Sequence, residues 1–179
     1  MERALLLIGV AGVGKSTVAD AIGRILTSAD SVTAVVDTDA LAQFGPPPDR
    51  GQRRGGSFYD NLKCLNLAAV WANFQAAGAR FIIVSAGIDS AELRDRYAGS
   101  LAGCEVQTIR LVAATNTVRE RLQDRDSEAR LERHLQTLAE QDARLEATAI
   151  EDFTVVNDRP ATVVARDVLA RLGWLRPAG

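Results

Sequence analysis

The sequence is poor in the residues that form disulfides, metal sites and pH switches. Its two cysteines, Cys64 and Cys104, lie far apart without metal-ligand spacing, which favours buried or half-buried thiols in a reducing cytoplasm. His134 is the only histidine, and it falls in a charged region with no metal partner spaced near it, so we expect it to be exposed and a weak catalytic candidate. The composition therefore excludes a disulfide scaffold.

Large net charge and long apolar runs are also missing. The formal net charge of -2 leaves no basic surplus to neutralise many phosphates, so binding to nucleic acid is not expected. The first apolar run, Leu5 to Ile8, is far too short to cross a bilayer, and no pair of charged and apolar segments typical of a secretory leader begins the chain. We expect a cytoplasmic protein without a membrane segment.

The remaining composition is that of an ordinary globular domain. Hydrophobic residues make up 47% and charged residues 25% of the 179 residues, and 19 of the 21 basic residues are arginine. This length suits one hydrophobic core, and no internal repeat or long low-complexity tract interrupts it. We expect a single domain over residues 1–179.

A glycine-rich motif organises the chain. Residues 9–16 read GVAGVGKS, which satisfies G-x-x-x-x-G-K-[ST] between an apolar strand and a helix-compatible segment. Glycines let consecutive N–H groups turn inward around phosphate oxygens, and the helix adds its positive dipole end. Lysine supplies a point charge near the β and γ phosphates, while serine can hold Mg²⁺. The residues predicted to bind nucleotide are Gly9, Gly12, Val13, Gly14, Lys15, Ser16 and Thr17.

Strand and helix patterns alternate along the whole chain. Short, mostly continuous apolar runs predict five strands, at residues 4–8, 32–36, 81–84, 106–113 and 153–156. Helical patterns follow each strand, with apolar positions at Leu62, Leu65, Ala69, Val70, Ala72 and Phe74 in the second helix and at Val163, Val164, Val168 and Leu169 in the last. The pattern predicts an α/β fold, a five-stranded parallel sheet with helices on both faces.

Polar residues follow several of these strands. Asp37 to Asp39, Ser85 to Gly87 and Asn157 to Arg159 should all meet the glycine loop at the carboxyl edge of the sheet, where ligands bind in such folds. Asp89 is a rival to Asp37 as an acid near the metal, although we interpret it mainly as a helix cap, a position that Ser90 could also take.

The glycine loop, the Asp-x-Asp at Asp37 to Asp39 and a late arginine-rich segment together resemble the small P-loop kinases. This group includes shikimate, gluconate, adenylylsulfate and nucleotide monophosphate kinases. The resemblance implies a three-layer P-loop NTPase fold with a helical lid over residues 117–140 and a substrate-side loop over residues 44–60. It also implies that Asp37 orients Mg²⁺ through water and that Asp39 positions or deprotonates the attacking hydroxyl. Alternatively, both aspartates only cap the next short helix.

The same resemblance implies roles for the late arginines, which are Arg119, Arg121, Arg125, Arg130 and Arg133. Arg121 would stack on adenine and Arg125 would reach the phosphates, since a guanidinium is planar and forked. Asn157 and Arg159 would border the base. The alternatives are a solvated helix face for the arginines, and a turn and helix cap for Asn157 and Arg159.

The loop after the second strand is the expected acceptor side. Arg50, Arg53 and Arg54 could clamp an anionic substrate, whereas Gln52, Ser57, Tyr59 and Asn61 could instead contact hydroxyls or amides. Ser85 and Gly87 lie where relatives have a small-residue turn that contacts substrate. No pattern in the loop identifies one acceptor.

The sequence therefore predicts a kinase that uses ATP and Mg²⁺ to phosphorylate a hydroxyl of a small metabolite. Lys15, Asp39 and Arg125 are the expected catalytic residues, and Ser16 and Asp37 the expected metal ligands. Two alternatives remain open. One is a nucleotide-binding regulatory or interaction module, and the other is a kinase that acts on a nucleotide or on a tRNA-borne group.

Overall fold

The computed structural model describes residues 1–45, 57–125 and 127–175. The strands are β1 (Glu2–Ile8), β2 (Thr33–Asp37), β3 (Phe81–Ser85), β4 (Cys104–Val112) and β5 (Phe153–Val156). The helices are α1 (Lys15–Ser28), α2 (Ser57–Ala76), α3 (Ala91–Gly99), α4 (Thr115–Arg125), α5 (Glu128–Thr148) and α6 (Ala161–Arg171), and a short 3-10 turn covers Ala40–Ala42. All five predicted strands and their intervening helices are therefore present.

The five strands form one parallel sheet in the order β2-β3-β1-β4-β5. Strand β1 lies at its centre, and every residue from Ala4 to Ile8 is fully buried. Successive side chains of a strand point to opposite faces, so burial of the whole run shows that both faces of the sheet are covered. This confirms the predicted α/β fold class.

The buried face of α2 differs from the prediction. Leu65 is 70% exposed, while the residues that pack into the core are Cys64, Leu67 and Trp71, at helical spacing on the opposite side. The Trp71 indole also donates a hydrogen bond to the Ala102 carbonyl at 3.1 Å. Because α2 carries apolar residues around most of its circumference, periodicity alone selected the wrong stripe.

Two smaller expectations also need correction. Val163 is 42% exposed, because it lies in the first turn of α6, and the helix buries Val164, Val168 and Leu169 as predicted. Ser90, and not Asp89, caps α3, since the Ser90 hydroxyl accepts a hydrogen bond from the Leu93 N–H.

Both cysteines are at least partly buried free thiols, as the sequence predicted. Cys64 is buried and Cys104 is half-buried, and neither forms a disulfide. Burial raises the pKa of both thiols, that of Cys104 to about 11, which makes them poor nucleophiles at neutral pH. Within the described residues, no helix is both long enough and apolar enough to span a membrane.

Candidate functional site

The glycine loop connects the end of β1 to the start of α1 and has a backbone that only glycine adopts easily. Gly9 has a φ of 140°, and a Cβ there would lie 2.6 Å from the Leu111 carbonyl oxygen. Gly14 has a φ of 100°, and its Cβ would lie 2.5 Å from the side-chain nitrogen of Asn157. The loop is therefore held against β4 and the end of β5, with its N–H groups at the start of α1.

Lys15 folds back over this loop. Its ammonium donates hydrogen bonds to the carbonyls of Gly9 at 2.9 Å and Val10 at 3.1 Å. A positive charge thus lies beside the N-terminus of α1, where the helix dipole also favours an anion. The charge and the helix N-terminus together make this end of the loop suited to an anion such as phosphate.

Ser16 and Asp37 converge from neighbouring elements. The Ser16 hydroxyl donates a hydrogen bond to Asp37 Oδ2 at 2.6 Å, and it lies 3.3 Å from the Ser85 hydroxyl. The other oxygen of Asp37 accepts from the Asp39 N–H at 3.0 Å, which fixes the carboxylate. Oxygen ligands of this kind suit Mg²⁺, which commonly takes only one or two from protein and the rest from water and phosphate.

No group of three or more His, Cys, Asp or Glu side chains in the described residues could hold a metal ion. A metal cage built from protein alone is therefore absent from that part of the chain. The Ser16 and Asp37 oxygens instead fit an ion that arrives with a nucleotide.

Asp39 forms an ion pair that the sequence analysis missed. The Lys63 ammonium on α2 lies 2.6 Å from Asp39 Oδ1, with side-chain exposures of 16% for Lys63 and 76% for Asp39. A second contact, from the Asn66 amide to the Leu41 carbonyl at 2.6 Å, fixes the 3-10 turn to the same helix. The available signal was that Lys63 is one of only two lysines in a chain whose other basic residues are arginine.

A further polar group lies between α2 and α3. The Arg96 guanidinium donates a hydrogen bond to the Asn61 side chain. Burial raises the pKa of the nearby Asp60 carboxyl, while the charges of Lys63 and Arg96 act in the opposite direction. Asp60 is thus a half-buried carboxyl next to the pair formed by Lys63 and Asp39.

These elements enclose one cavity of about 730 Å³. It runs from the glycine loop past the ends of β2 and β3 to α5, and it is large enough for more than one small ligand. The predicted residues that line it are Gly9, Gly12, Gly14, Lys15, Ser16, Thr17, Asp37, Asp39, Ser85, Gly87, Arg121, Asn157 and Arg159. Val13 lies behind the loop and is fully buried.

Arg121 and Asn157 support the glycine loop from behind. The Val13 carbonyl accepts hydrogen bonds from the Asn157 amide at 2.7 Å and from the Arg121 guanidinium at 3.1 Å. Arg121 also donates to the backbone carbonyl of Asn157 at 3.2 Å. Helix α4 and the end of β5 are thereby tied to the glycine loop, and contact of either side chain with adenine stays a prediction.

Arg159 lies at the same end of the cavity. Its guanidinium donates to Asp167 at 3.0 Å, and this hydrogen bond is the main reason that the pKa of Asp167 is lowered. Its predicted place beside the base is compatible with this position but is not tested by it.

Helix α5 closes the other side of the cavity. The Arg110 guanidinium on β4 binds Asp142 Oδ1 at 2.7 Å, and Arg144 binds Asp89 at 3.3 Å, so α5 is fixed to both the sheet and the β3–α3 loop. His134, Gln141 and Leu145 from this helix line the cavity. His134 is therefore half-buried at the site, and the expectation that it is exposed was wrong.

Several predicted residues cannot be placed. Arg50, Gln52, Arg53 and Arg54 lie in the segment 46–56, outside the described residues. The side chains of Ser57, Arg125, Arg130 and Arg133 also lie outside the described part, although the backbone of Arg125 ends α4. The predicted roles of these arginines, of the loop over 44–60 and of the lid over 117–140 remain predictions.

Comparisons with known proteins agree with this architecture. The family model AAA_33, described as an AAA domain, matches residues 5–148. No curated protein matches the sequence significantly.

Several solved structures share the fold across nearly the whole chain. The tunicamycin resistance protein of Deinococcus radiodurans is 18% identical, with 99% of this chain and 100% of that chain covered at a TM-score of 0.66. A gluconokinase from Sinorhizobium meliloti 1021 is 24% identical, with coverages of 96% and 91% and a TM-score of 0.59. Shikimate kinase from Acinetobacter baumannii is 14% identical, with coverages of 96% and 93% and a TM-score of 0.62.

These similarities confirm the resemblance to the small P-loop kinases at the level of the fold. The family model covers most of the chain, including the glycine loop, the ends of β2 and β3, and the helices α4 and α5. The chain belongs to the AAA_33 family of AAA domains and has the P-loop fold of these kinases.

Proposed function

We propose that the protein is a kinase that transfers the γ-phosphoryl group of ATP to a hydroxyl of a small molecule. The observation that carries this proposal is the position of Asp39 in the same cavity as Lys15, Ser16 and Asp37. A carboxylate that can receive a proton thus lies just past the end of β2, in the same cavity as the glycine loop. Gluconokinase and shikimate kinase, which share the fold, are named for this kind of reaction.

Each residue has a defined task in this reaction. Mg²⁺, when bound with ATP, neutralises phosphate charge, and Ser16 and Asp37 are the side chains that would hold it. Lys15 binds the phosphate oxygens and stabilises negative charge during transfer. Asp39 orients the acceptor hydroxyl and takes its proton, while the hydroxyl oxygen bonds to the γ phosphorus and the bond to the β–γ bridging oxygen breaks, which releases ADP.

The size of the cavity favours a kinase over a nucleotide-binding regulatory module. A module that senses only nucleotide needs space at the glycine loop alone, whereas this cavity continues to Asp89 and to Gln141 and Leu145 of α5. Space for a second ligand beside the phosphates is what a two-substrate transfer requires.

An ADP-release assay across a panel of hydroxyl compounds tests the proposal. Lys15→Ala should abolish transfer, and Asp39→Asn should lower kcat by about 100-fold or more, as expected for loss of a general base. Transfer at the wild-type rate by Lys15→Ala would sink the proposal. A near wild-type rate with Asp39→Asn would remove Asp39 from the acceptor step.

A further inference from the structure

The peptide that joins Val13 to Gly14 in the glycine loop has glycine next to it on both sides. Gly12 and Gly14 flank Val13, and both have a positive φ, at 79° and 100°. Glycine populates positive and negative φ about equally, so the plane of this peptide can rotate at little intrinsic cost. Contacts from outside the loop must therefore fix the direction of its carbonyl and its N–H.

Two side chains from distant parts of the sequence hold the Val13 carbonyl. It accepts hydrogen bonds from the Asn157 amide at 2.7 Å and from the Arg121 guanidinium at 3.1 Å. A second nitrogen of Arg121 donates to the Asn157 carbonyl at 3.2 Å, so the guanidinium bridges two backbone carbonyls. A planar, forked group keeps both bonds only in a narrow range of orientations. The carbonyl is thus fixed on the side of the loop that faces α4 and the end of β5.

The N–H of the same peptide points the other way, because the C=O and N–H of a trans peptide lie on opposite sides of the chain. Among the described residues, no group accepts a hydrogen bond from the Gly14 N–H. Helix α1, which begins at Lys15, has neither a side-chain cap nor an acidic residue in its first turn. The Gly14 N–H and the first N–H groups of α1 are therefore available to an anion.

The position of Arg121 is set by close packing of α4 on the loop. A Cβ at Gly12 would lie 2.7 Å from Cγ of Leu122 and 3.2 Å from the Val118 carbonyl oxygen. Leu122 and Val118 are both buried, and Arg121 adjoins Leu122 on the same helix. The guanidinium is thus carried to the loop by a packed helix, and it is itself half-buried.

We propose that Arg121 is a positioning residue, which together with Asn157 holds the Val13–Gly14 peptide in the orientation that binds phosphate. This inference rests on the proposed use of ATP, and it gives Arg121 a task that differs from stacking on adenine. Rotation of the peptide would turn a carbonyl oxygen toward the phosphate in place of an N–H, which replaces attraction with repulsion. Loss of Arg121 therefore weakens every ligand that binds the loop through phosphate, with or without a base.

The binding of ATP and of inorganic tripolyphosphate, each with Mg²⁺, tests this role by isothermal titration calorimetry. Tripolyphosphate has the phosphates of ATP but no base. We expect Arg121→Met to raise Kd for both ligands by the same factor, about tenfold. Arg121→Lys should raise both values nearly as much, because lysine keeps the charge but cannot bridge two carbonyls.

Two further variants complete the experiment. Asn157→Leu changes no charge and removes the other donor to Val13, so it should also weaken both ligands alike. Arg166→Met is the matched control, since it removes an exposed arginine on α6 and should leave both Kd values unchanged. Thermal unfolding without ligand shows whether each variant is folded, and the two Arg121 variants decide alone if Asn157→Leu is not.

Three results would overturn the positioning role. A rise in Kd for ATP alone assigns Arg121 to the base, wild-type Kd values with Arg121→Lys assign it to its charge, and wild-type values with Arg121→Met leave it no part in binding. If the positioning results hold but no acceptor hydroxyl is phosphorylated, the role stands while the kinase function fails. If the wild type binds neither ATP nor tripolyphosphate, both fail.

Discussion

Replacing Lys63 separates a role in positioning Asp39 from a role in stability. Lys63→Met keeps the length of the side chain and its packing but removes the ammonium that lies 2.6 Å from Asp39. Because Asp39 is 76% exposed, the ion pair is screened by water and should contribute less than about 1 kcal/mol to the free energy of unfolding. The stability of the variant should therefore be close to that of the wild type.

The effect on turnover should be much larger. Without Lys63, the Asp39 carboxylate loses the 2.6 Å ion pair that holds it against α2 and samples orientations away from the acceptor hydroxyl. We expect kcat to fall by about 10- to 100-fold, which corresponds to about 1.4–2.7 kcal/mol of activation free energy. KM for ATP should stay within about twofold, because the hydrogen bonds of Lys15 and Ser16 are untouched.

Steady-state ADP release with ATP and acceptor varied separately, together with thermal unfolding, measures both quantities. Lys63→Arg is the matched control, since it keeps a cation within reach of Asp39 and should retain most of kcat. The reasoning is refuted if Lys63→Met keeps a wild-type kcat, or if its loss of activity follows a loss of stability of the same size.

Two further predictions concern stability. Gly14→Ala places a Cβ 2.5 Å from the Asn157 amide at a φ of 100°. It should lower the free energy of unfolding by about 1–3 kcal/mol and Tm by about 2–10 °C. Gly99→Ala is the control and should not lower Tm, because a Cβ there meets no atom within 4 Å. A wild-type Tm for Gly14→Ala would contradict the loop geometry. Asp60→Asn should raise Tm at pH 7 and leave it unchanged near pH 3. Burial raises the pKa of Asp60 in the folded protein, so ionisation of this carboxyl destabilises the fold as the pH rises through the folded-state pKa. The asparagine variant lacks this ionisation. A Tm gain that is equal at both pH values would refute this cause.

The sequence was most informative where local pattern and chemistry agree. A strand buried on both faces needs apolar residues throughout, so the run from Ala4 to Ile8 was enough to predict the central strand. The GVAGVGKS motif was enough to predict the loop, because a Cβ at Gly9 or Gly14 would clash. The parallel sheet then places Asp37 and Asp39 beside that loop. Local sequence rules therefore predicted the glycine-loop end of the cavity.

Contacts between distant segments could not be predicted in the same way. Lys63 meets Asp39 across 24 positions of sequence, and Arg121 meets Val13 across 108. In α2, several apolar stripes were available, and the one that is buried carries Trp71, whose indole donates a hydrogen bond to the distant Ala102 carbonyl. The inner face of α5, which brings His134 to the cavity, depends on the Arg110 and Arg144 pairs in the same manner.

The central claim is that one cavity holds ATP at the glycine loop and a hydroxyl acceptor at Asp39. The most direct test supplies ATP labelled at the γ phosphate, with Mg²⁺ and the panel of hydroxyl compounds, and follows the label into products by mass spectrometry. We predict a labelled phosphate ester of the acceptor, which is absent with Lys15→Ala and when Mg²⁺ is chelated. If the protein binds ATP but the label is never found on an acceptor hydroxyl, the claim is contradicted.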